Sequence, residues 1–407
     1  MDRVKPEEVG LSSSRLARID DHLRDRYIEP GKISGALTLV ARRGQVAHCS
    51  ALGHMEIEAR RPLEDDAIFR IYSMTKPITS VAVMMLYEKG LFQLRDPVHR
   101  YIPAFRNQGV FRMGSYPQFL TDPPSRPMRI KDLLMHTSGL TYGFMHSTNV
   151  DSAYRKAGLD GARTDKTLEE MVETLAGIPL EFSPGEAWNY SMATDVLGYL
   201  VEVVSGRPFA DFMREEILEP LGMSDTGFFV PPEKQSRLPA CYERRANKKL
   251  VLQDDPDKSP YLKMPRGPSG GGGLVSTVHD YLRFCEMMRR GGELDGTRLL
   301  SRKTVELMTC NHLPDNRDLT QMARGTFSET PYEGVGFGLG FSINLGAGRT
   351  GATGSAGEYA WGGAASTAFW IDPVEELVVI FMTQLMPSAT YDFRAQLRAI
   401  TYGSIID

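Results

Sequence analysis

Two residues at the start of an apolar helix have the spacing of a nucleophile and its base. Ser73-Met74-Thr75-Lys76 begins a run that is apolar at helical spacing and stops at Gly90. Side chains three positions apart lie on one face of a helix, adjacent across one turn. A serine hydroxyl attacks a carbonyl when a neighbour takes its proton, and a lysine can take it when burial disfavours the ammonium form. We predict Ser73 as nucleophile and Lys76 as base.

The start of this helix would also stabilise the negative charge that develops on an attacked carbonyl. A helix N-terminus offers positive partial charge and free N–H groups, so the N–H of Ser73 is predicted to be one oxyanion donor. About one S-x-x-K is expected by chance in a chain of this composition, so the pattern alone is weak. Its position at a helix start, after an apolar strand-like run, strengthens the prediction that Ser73 and Lys76 act together.

Two further segments could complete such a site. Tyr190 lies just before a second helix and could relay protons to and from a leaving group; the alternative is a core aromatic whose hydroxyl is satisfied. Trp361-Gly362-Gly363-Ala364 is expected to open the first C-terminal strand. Its glycines let another group approach the backbone closely, so the N–H of Ala364 is predicted to be the second oxyanion donor. The alternative is a simple strand-entry turn.

Taken together, the three segments resemble the three boxes of serine β-lactamases and penicillin-binding proteins, in order and approximate spacing. Connecting segments are similar as well, and the resemblance extends from about residue 8 to 385. The similar connecting segments are residues 133–140, 220–226 and 271–277. The resemblance implies an α+β, β-lactamase/transpeptidase-like fold, a serine acyl-enzyme, and no metal or organic cofactor.

Departures from the family pattern imply a change of substrate. Met192 stands where the family usually has an asparagine that contacts a substrate amide, and Trp361 stands where it usually has a lysine that attracts a substrate carboxylate. The pattern resembles the family VIII carboxylesterases, which often carry Trp-Gly-Gly, and is also similar to related transesterases. Met192, Trp361, Gly362 and Gly363 are therefore expected to bind a neutral, apolar ester.

Other candidate residues receive less weight. Gly267-Pro268-Ser269-Gly270-Gly271 matches the nucleophile elbow G-x-S-x-G, but that motif needs a strand before it and a helix directly after it. His136 is expected to satisfy backbone groups at a helix end. Asp195 could support the site from behind, although an exposed helical carboxylate is the simpler interpretation.

Composition excludes several classes of function. With 407 residues, 42% hydrophobic, and a net charge of −4, the chain shows no basic footprint for nucleic acid or an anionic membrane. The four cysteines have no zinc-like spacing and are expected to be reduced and buried. No apolar run is long enough for a membrane span, and the N-terminus lacks a signal-peptide pattern. A cytoplasmic location is expected.

Strand patterns at both chain ends and helical patterns between them predict one antiparallel sheet built from the two ends. The elements are a hairpin over residues 36–51, strands at 366–371 and 377–382, helices at 74–89, 192–205, 208–218, 277–290 and 391–402, and an irregular loop over 106–127. We expect an α/β lobe at about 1–95 and 325–407, with a mostly helical lobe at about 96–324 inserted between its two parts.

The sequence thus predicts a serine carboxylesterase acting on short to medium acyl esters of small molecules. The alternatives are a β-lactamase or D-Ala carboxypeptidase, an acyl transferase to an alcohol, and a penicillin-binding sensor that does not turn over. Whether Lys76 or Tyr190 is the base in each step stays open, as do the natural substrate and the oligomeric state.

Overall fold

The computed structural model describes residues 3–159, 164–325 and 327–407. Within these ranges the α-helices are α1 Ser13–Leu16, α2 Arg18–Leu23, α3 Thr75–Glu88, α4 Ile130–Leu134, α5 Asn149–Lys156, α6 Leu168–Ala176, α7 Ala193–Ser205, α8 Phe209–Met213, α9 Val278–Arg289, α10 Arg302–Met308, α11 Leu319–Met322, α12 Ala347–Thr350 and α13 Phe393–Tyr402. The strands are β1 Gly35–Arg42, β2 Gln45–Gly53, β3 Phe69–Arg70, β4 Val110–Ser115, β5 Gln118–Asp122, β6 Cys241–Arg244, β7 Leu250–Asp254, β8 Val275–Ser276, β9 Glu293–Leu294, β10 Thr297–Arg298, β11 Val335–Phe337, β12 Ser342–Asn344, β13 Tyr359–Gly362, β14 Ala368–Asp372, β15 Leu377–Thr383 and β16 Leu385–Met386. None of the described helices has both the length and the hydrophobicity that crossing a membrane requires.

Seven strands form the main sheet, in the order β11-β12-β13-β14-β15-β1-β2, and all its neighbouring pairs are antiparallel. Its centre joins the two ends of the chain, because β1 pairs with β15 from Ala36 opposite Thr383 to Arg42 opposite Leu377. The predicted α+β architecture, with an antiparallel sheet built from both chain ends, is therefore confirmed.

Strands β1 and β2 form the hairpin that the sequence predicts over residues 36–51, and a tight turn connects them. Arg42 pairs with Gln45, so only Arg43 and Gly44 connect the strands. Both turn residues have positive φ angles, +55° and +79°. Two-residue turns of this kind match the right-handed twist of the strands that they join.

Helices cover both faces of the sheet. Along β1, Leu37 and Leu39 point into the larger core, which contains α3, α7 and α9. Ala36 and Val40 point into a smaller core formed with α1, α2 and α13. Alternate side chains of a strand lie on opposite faces, so a strand with two covered faces is a continuous apolar run. The α3 helix packs against α7 inside the larger core, which places its N-terminus in the interior.

The other predicted elements are confirmed with two exceptions. Helices α3, α7, α9 and α13 and strands β14 and β15 begin and end within two residues of the predicted bounds. The helix expected over 208–218 is α8, followed by a π-helical turn over Arg214–Leu218. The expected loop over 106–127 is wrong, because it contains the β4–β5 hairpin. Both of its strands are mostly exposed, so no apolar alternation revealed them.

The second exception concerns the segment around Trp361. Trp361 and Gly362 end β13 rather than open a strand, and the following turn leads into β14. Strands β11, β12 and β13 were not predicted, because they are only three or four residues long and two of them contain glycine. The described cysteines are free as expected, but Cys310 is exposed and Cys49 only partly buried. The division into two lobes stays a prediction.

Candidate active site

Ser73 lies in a short 3₁₀ turn, Tyr72–Met74, that leads directly into α3. The turn is fixed from behind, because the Tyr281 hydroxyl donates to the carbonyl oxygen of Met74 at 2.9 Å. Tyr72 has a φ of +41°, in the left-handed region that non-glycine residues rarely adopt. Such strain costs about 1–3 kcal/mol and concentrates at functional sites. The residue before the predicted nucleophile is therefore held in a conformation that only its surroundings can maintain.

Lys76 contacts the predicted nucleophile as the spacing requires. Its Nζ lies 3.2 Å from the Oγ of Ser73 and donates to the carbonyl oxygen of Gly271 at 2.6 Å. Burial lowers the pKa of Lys76 to about 8, although the charges of Asp195 and Glu329 act in the opposite direction. A lysine with this pKa is neutral in an appreciable fraction of molecules near neutral pH, so it can accept a proton.

Tyr190 is the second group in contact with Ser73. Its hydroxyl donates to the Ser73 Oγ at 2.6 Å. Burial, with a smaller effect of the Glu329 charge, raises the pKa of Tyr190 well above its usual value. The tyrosine therefore keeps its proton in the resting site. Its ring stacks on Trp188 with an interplanar angle of 10°, which fixes the direction of the hydroxyl.

The glycines of the third segment bring Ala364 to the same cavity. A Cβ at Gly363 would collide with the carbonyl oxygen of Ile71, two residues before Ser73, and with the Thr367 hydroxyl. Only glycine permits this close approach. Ser73 and Ala364 both line the cavity. Within the described residues, no hydrogen bond to a protein acceptor uses the N–H of either one. Both donors are free to face an oxyanion.

Trp361 and Met192 lie elsewhere than the sequence led us to expect. Both are 2% exposed and neither lines the cavity of Ser73. Trp361 packs against Tyr190, with ring centroids 5.5 Å apart, and edge-on against Phe337 at 5.4 Å. Its ring therefore packs against that of Tyr190, while Trp361 itself lines a different cavity. Met192 is the N-cap residue of α7.

Asp195 is the residue of the cavity that sequence reasoning undervalued. It is 4% exposed, not an exposed helical carboxylate. Its Oδ1 accepts hydrogen bonds from the Ser269 hydroxyl at 2.5 Å and from the Gly271 N–H at 3.0 Å. Since the Gly271 carbonyl accepts from Lys76, Asp195 fixes the loop that orients the lysine. The available signal was a carboxylate in the first turn of a helix, directly before the apolar residues Val196 and Leu197.

Ser269 and His136 have structural partners. Ser269 lies in a loop with no strand immediately before it and no helix immediately after it, so the nucleophile elbow is not formed. Burial lowers the pKa of His136 well below its usual value, so the ring stays neutral. Its Nδ1 lies 3.1 Å from the Ser191 hydroxyl, next to Tyr190, rather than satisfying backbone groups as expected. In the described part of the structure, neither residue forms a hydrogen bond with Ser73.

The cavity that contains Ser73 has a volume of about 450 Å³ and is mostly apolar. A volume of this size is usual for small-molecule sites. Its lining consists of aromatic residues, other apolar residues, glycines and a few polar groups: Tyr72, Ser73, Tyr142, Phe144, Tyr190, Asp195, Ser269, Gly271, Gly272, Phe327, Glu329, Ala364, Met386, Pro387 and Ser388.

This chain is similar to known proteins in both sequence and fold. The family described as Beta-lactamase matches residues 21–402. Protein Rv1367c of Mycobacterium tuberculosis is 36% identical over 90% of each chain, and esterase EstB of Burkholderia gladioli is 30% identical over 93% of each chain. The solved structure of EstCE1, described as a hydrolase with promiscuous acyltransferase activity, superposes with a TM-score of 0.79 at 26% identity, over 98% of this chain and 99% of that one. This chain has the β-lactamase/transpeptidase-like fold and belongs to the beta-lactamase family, in which it fits the family VIII esterase-like serine hydrolases.

Proposed function

We propose that this protein is a serine carboxylesterase that hydrolyses short to medium acyl esters through an acyl-enzyme on Ser73. The observation that carries the proposal is the pair of contacts on one hydroxyl. Lys76 and Tyr190 both lie within hydrogen-bond distance of the Ser73 Oγ, inside a largely apolar cavity. The similarity to esterase EstB supports the same substrate class.

In the proposed acylation, neutral Lys76 takes the Ser73 proton while the oxygen of Ser73 bonds to the ester carbonyl carbon. The carbonyl oxygen becomes an oxyanion, held by the N–H groups of Ser73 and Ala364. As the carbonyl re-forms, the bond to the alcohol breaks. Tyr190 gives its proton to the departing oxygen, and the Lys76 ammonium restores the proton of the tyrosine. The products are an acyl-serine and a free alcohol.

Deacylation repeats these steps with water as the nucleophile. Neutral Lys76 takes a proton from water, the hydroxide attacks the acyl carbonyl, and the oxyanion forms in the same place. Ser73 then leaves with a proton delivered by the Lys76–Tyr190 pair. The free acid departs, and the site returns to its starting protonation state.

Acyl transfer to an alcohol is the second candidate, favoured by the description of EstCE1 as a hydrolase with promiscuous acyltransferase activity. It would use the same acyl-enzyme, with an alcohol in place of water. A rising yield of transferred ester with added alcohol, at constant release of the first alcohol, would support it. If added alcohol has no effect, hydrolysis remains the only proposed activity.

A panel of p-nitrophenyl esters of increasing acyl length tests the proposal. We expect measurable kcat/KM for acetate to about hexanoate, and its loss in Ser73→Ala. Ser269→Ala is the matched control, because this serine lines the same cavity but contacts Asp195 rather than Lys76 or Tyr190. Unchanged hydrolysis in Ser73→Ala would contradict the proposal. So would faster turnover of a penicillin than of p-nitrophenyl butyrate, which would favour the β-lactamase alternative.

A further inference from the structure

A second cavity lies beside the first turn of α13. Its volume is about 280 Å³, its surface is mostly apolar, and its lining includes the aromatic residues Trp370, Tyr391 and Phe393. We call it the α13 cavity. Independent small-molecule sites usually have volumes of about 300–1,000 Å³, so this space is small for a site of its own. Its apolar surface suits the end of an alkyl chain.

The α13 cavity adjoins the cavity that contains Ser73. Among the described residues, Glu329 and Ser388 line both of them. The turn between β13 and β14 also contributes to each, since Ala364 lines the cavity of Ser73 and Ser366 lines the α13 cavity. Where one residue lines two cavities, little more than its own thickness separates them. The Ser388 side chain is small, so Glu329 supplies most of this boundary.

An ion pair holds the boundary in place. The Glu329 side chain is 1% exposed and pairs with Arg394, which lines the α13 cavity, at 2.8 Å. Arg394 also donates to the backbone carbonyl oxygens of Glu329 and Thr367. A Cβ at Gly362 would collide with the Arg394 guanidinium, so the two fit closely. Separating the pair would leave a buried charge without its partner, and the boundary therefore stays closed.

This boundary limits what an alkyl chain can gain by growing longer. A chain that extends from Ser73 to Glu329 meets the closed ion pair, although apolar space continues behind it. Further methylene groups either remain in water, where they add no binding, or press against the pair, where overpacking opposes binding. The apolar space of the α13 cavity is thus out of their reach.

We propose that the Glu329–Arg394 ion pair sets the upper chain length of the ester substrate by separating the cavity of Ser73 from the α13 cavity. The inference rests on the proposed esterase function, since it concerns the substrate range of the same site. The two side chains act through the space that they occupy rather than through their charge. Removing their bulk should join the cavities and admit longer esters.

Two double substitutions separate the effect of space from that of charge. Glu329→Ala with Arg394→Ala removes both side chains, and with them the boundary, without leaving one charge unpaired. Glu329→Met with Arg394→Met is the matched control, because it removes the same charges but keeps most of the volume. Both proteins lose the Glu329 charge that raises the pKa of Lys76, so this side effect is common to the two.

The measured quantity is the ratio of kcat/KM for p-nitrophenyl octanoate to that for p-nitrophenyl butyrate. The ratio for octyl acetate to butyl acetate tests the alcohol side of the ester in the same way. In at least one series, we expect the double alanine variant to raise the wild-type ratio about tenfold or more, the usual effect of methylene groups in an apolar pocket. The double methionine variant should stay within about twofold of the wild type.

Unchanged ratios in the double alanine variant would overturn the inference, and so would an equal rise in the double methionine variant. If the double alanine variant does not fold, Arg394→Lys serves in its place. Lysine keeps the charge that pairs with Glu329 but lacks the planar guanidinium, so we expect a smaller rise of about threefold. No rise in a folded Arg394→Lys would then overturn the inference.

A further substitution tests where the longer chain goes. Ala360, on β13, lines the α13 cavity. Ala360→Phe should fill part of that cavity and, when added to the double alanine variant, should return the ratio toward the wild-type value. A rise that persists in this triple variant would show that the chain takes another path, and it would overturn the role of the α13 cavity.

Binding separates this inference from the esterase proposal. The ketones 2-nonanone and 2-pentanone carry the chains of the octanoyl and butyryl esters without a bond to hydrolyse. Each is titrated calorimetrically into Ser73→Ala, with and without the double alanine substitution. We expect that substitution to tighten the binding of 2-nonanone about tenfold or more and to leave that of 2-pentanone unchanged.

The outcomes distinguish the two proposals. Absence of ester hydrolysis in the wild type, with 2-nonanone binding that tightens as expected, would overturn the esterase proposal only. Hydrolysis of p-nitrophenyl butyrate in the wild type, with neither the ratios nor 2-nonanone binding changed by the double alanine substitution, would overturn the inference and leave the esterase proposal standing.

Discussion

The most informative perturbation is Lys76→Arg, because it keeps a positive charge and removes the ability to accept a proton. Arginine does not deprotonate at any pH at which the protein works. If neutral Lys76 is the base, Lys76→Arg should be nearly as inactive as Lys76→Ala, with kcat/KM reduced by about 10²–10⁴, the usual contribution of a general base.

The pH dependence of kcat/KM tests the same role of Lys76 quantitatively. Burial lowers the pKa of Lys76 to about 8, and the form that we propose to be active is the neutral amine. The kcat/KM should therefore rise with pH through this value. About a tenth of the lysine is neutral at pH 7 and about a hundredth at pH 6, so the rate should fall tenfold per pH unit on the acid side.

The assay is p-nitrophenyl butyrate hydrolysis between pH 5.5 and 9.5, corrected for the spontaneous rate. Lys258→Arg is the matched control, since the Lys258 side chain is 84% exposed and its replacement should change nothing. Substantial activity in Lys76→Arg, or a wild-type profile that is flat between pH 6 and 8, would refute the reasoning. The base would then be Tyr190, and Lys76 would only position charge.

Three other substitutions test the residues that surround Ser73 and Lys76. Tyr190→Phe should lower kcat by about 10²–10⁴ while changing the free energy of unfolding by under about 2 kcal/mol; near-normal turnover would contradict the proton relay. Asp195→Asn removes a charge that raises the pKa of Lys76, so the acid limb of the pH profile should move below pH 8. An upward shift would show that Asp195 acts differently. Gly363→Ala forces a Cβ against the carbonyl of Ile71 and should destabilise the fold by about 1–3 kcal/mol, with a larger loss of kcat/KM than Gly348→Ala, which meets open space. Equal effects in thermal melts and kinetics would rule out the tight approach as the reason for this glycine.

The sequence predicted those parts of the site in which local rules determine the geometry. The spacing of Ser73 and Lys76 sets their contact, because both lie at the start of one helix. Tyr190 was found by its place before a second helix, although only tertiary packing brings its hydroxyl 2.6 Å from a residue 117 positions away.

What the sequence did not predict depends on packing between distant segments. Asp195 is buried because the loop of Gly271 covers it, and nothing in its neighbourhood along the chain reveals that loop. Trp361 was expected to face the substrate, but its ring packs against Tyr190 and Phe337 and it lines a different cavity. Glu329 and Ser73 are far apart along the chain, yet both line the same cavity.

The most direct test of the central claim is to trap the acyl-enzyme. The protein is mixed with p-nitrophenyl butyrate, quenched in acid within milliseconds, digested and examined by mass spectrometry. We expect one butyryl group on the peptide that contains Ser73, and none in Ser73→Ala. A butyryl group on the peptide that contains Ser269, or turnover without any acylated peptide, would contradict it.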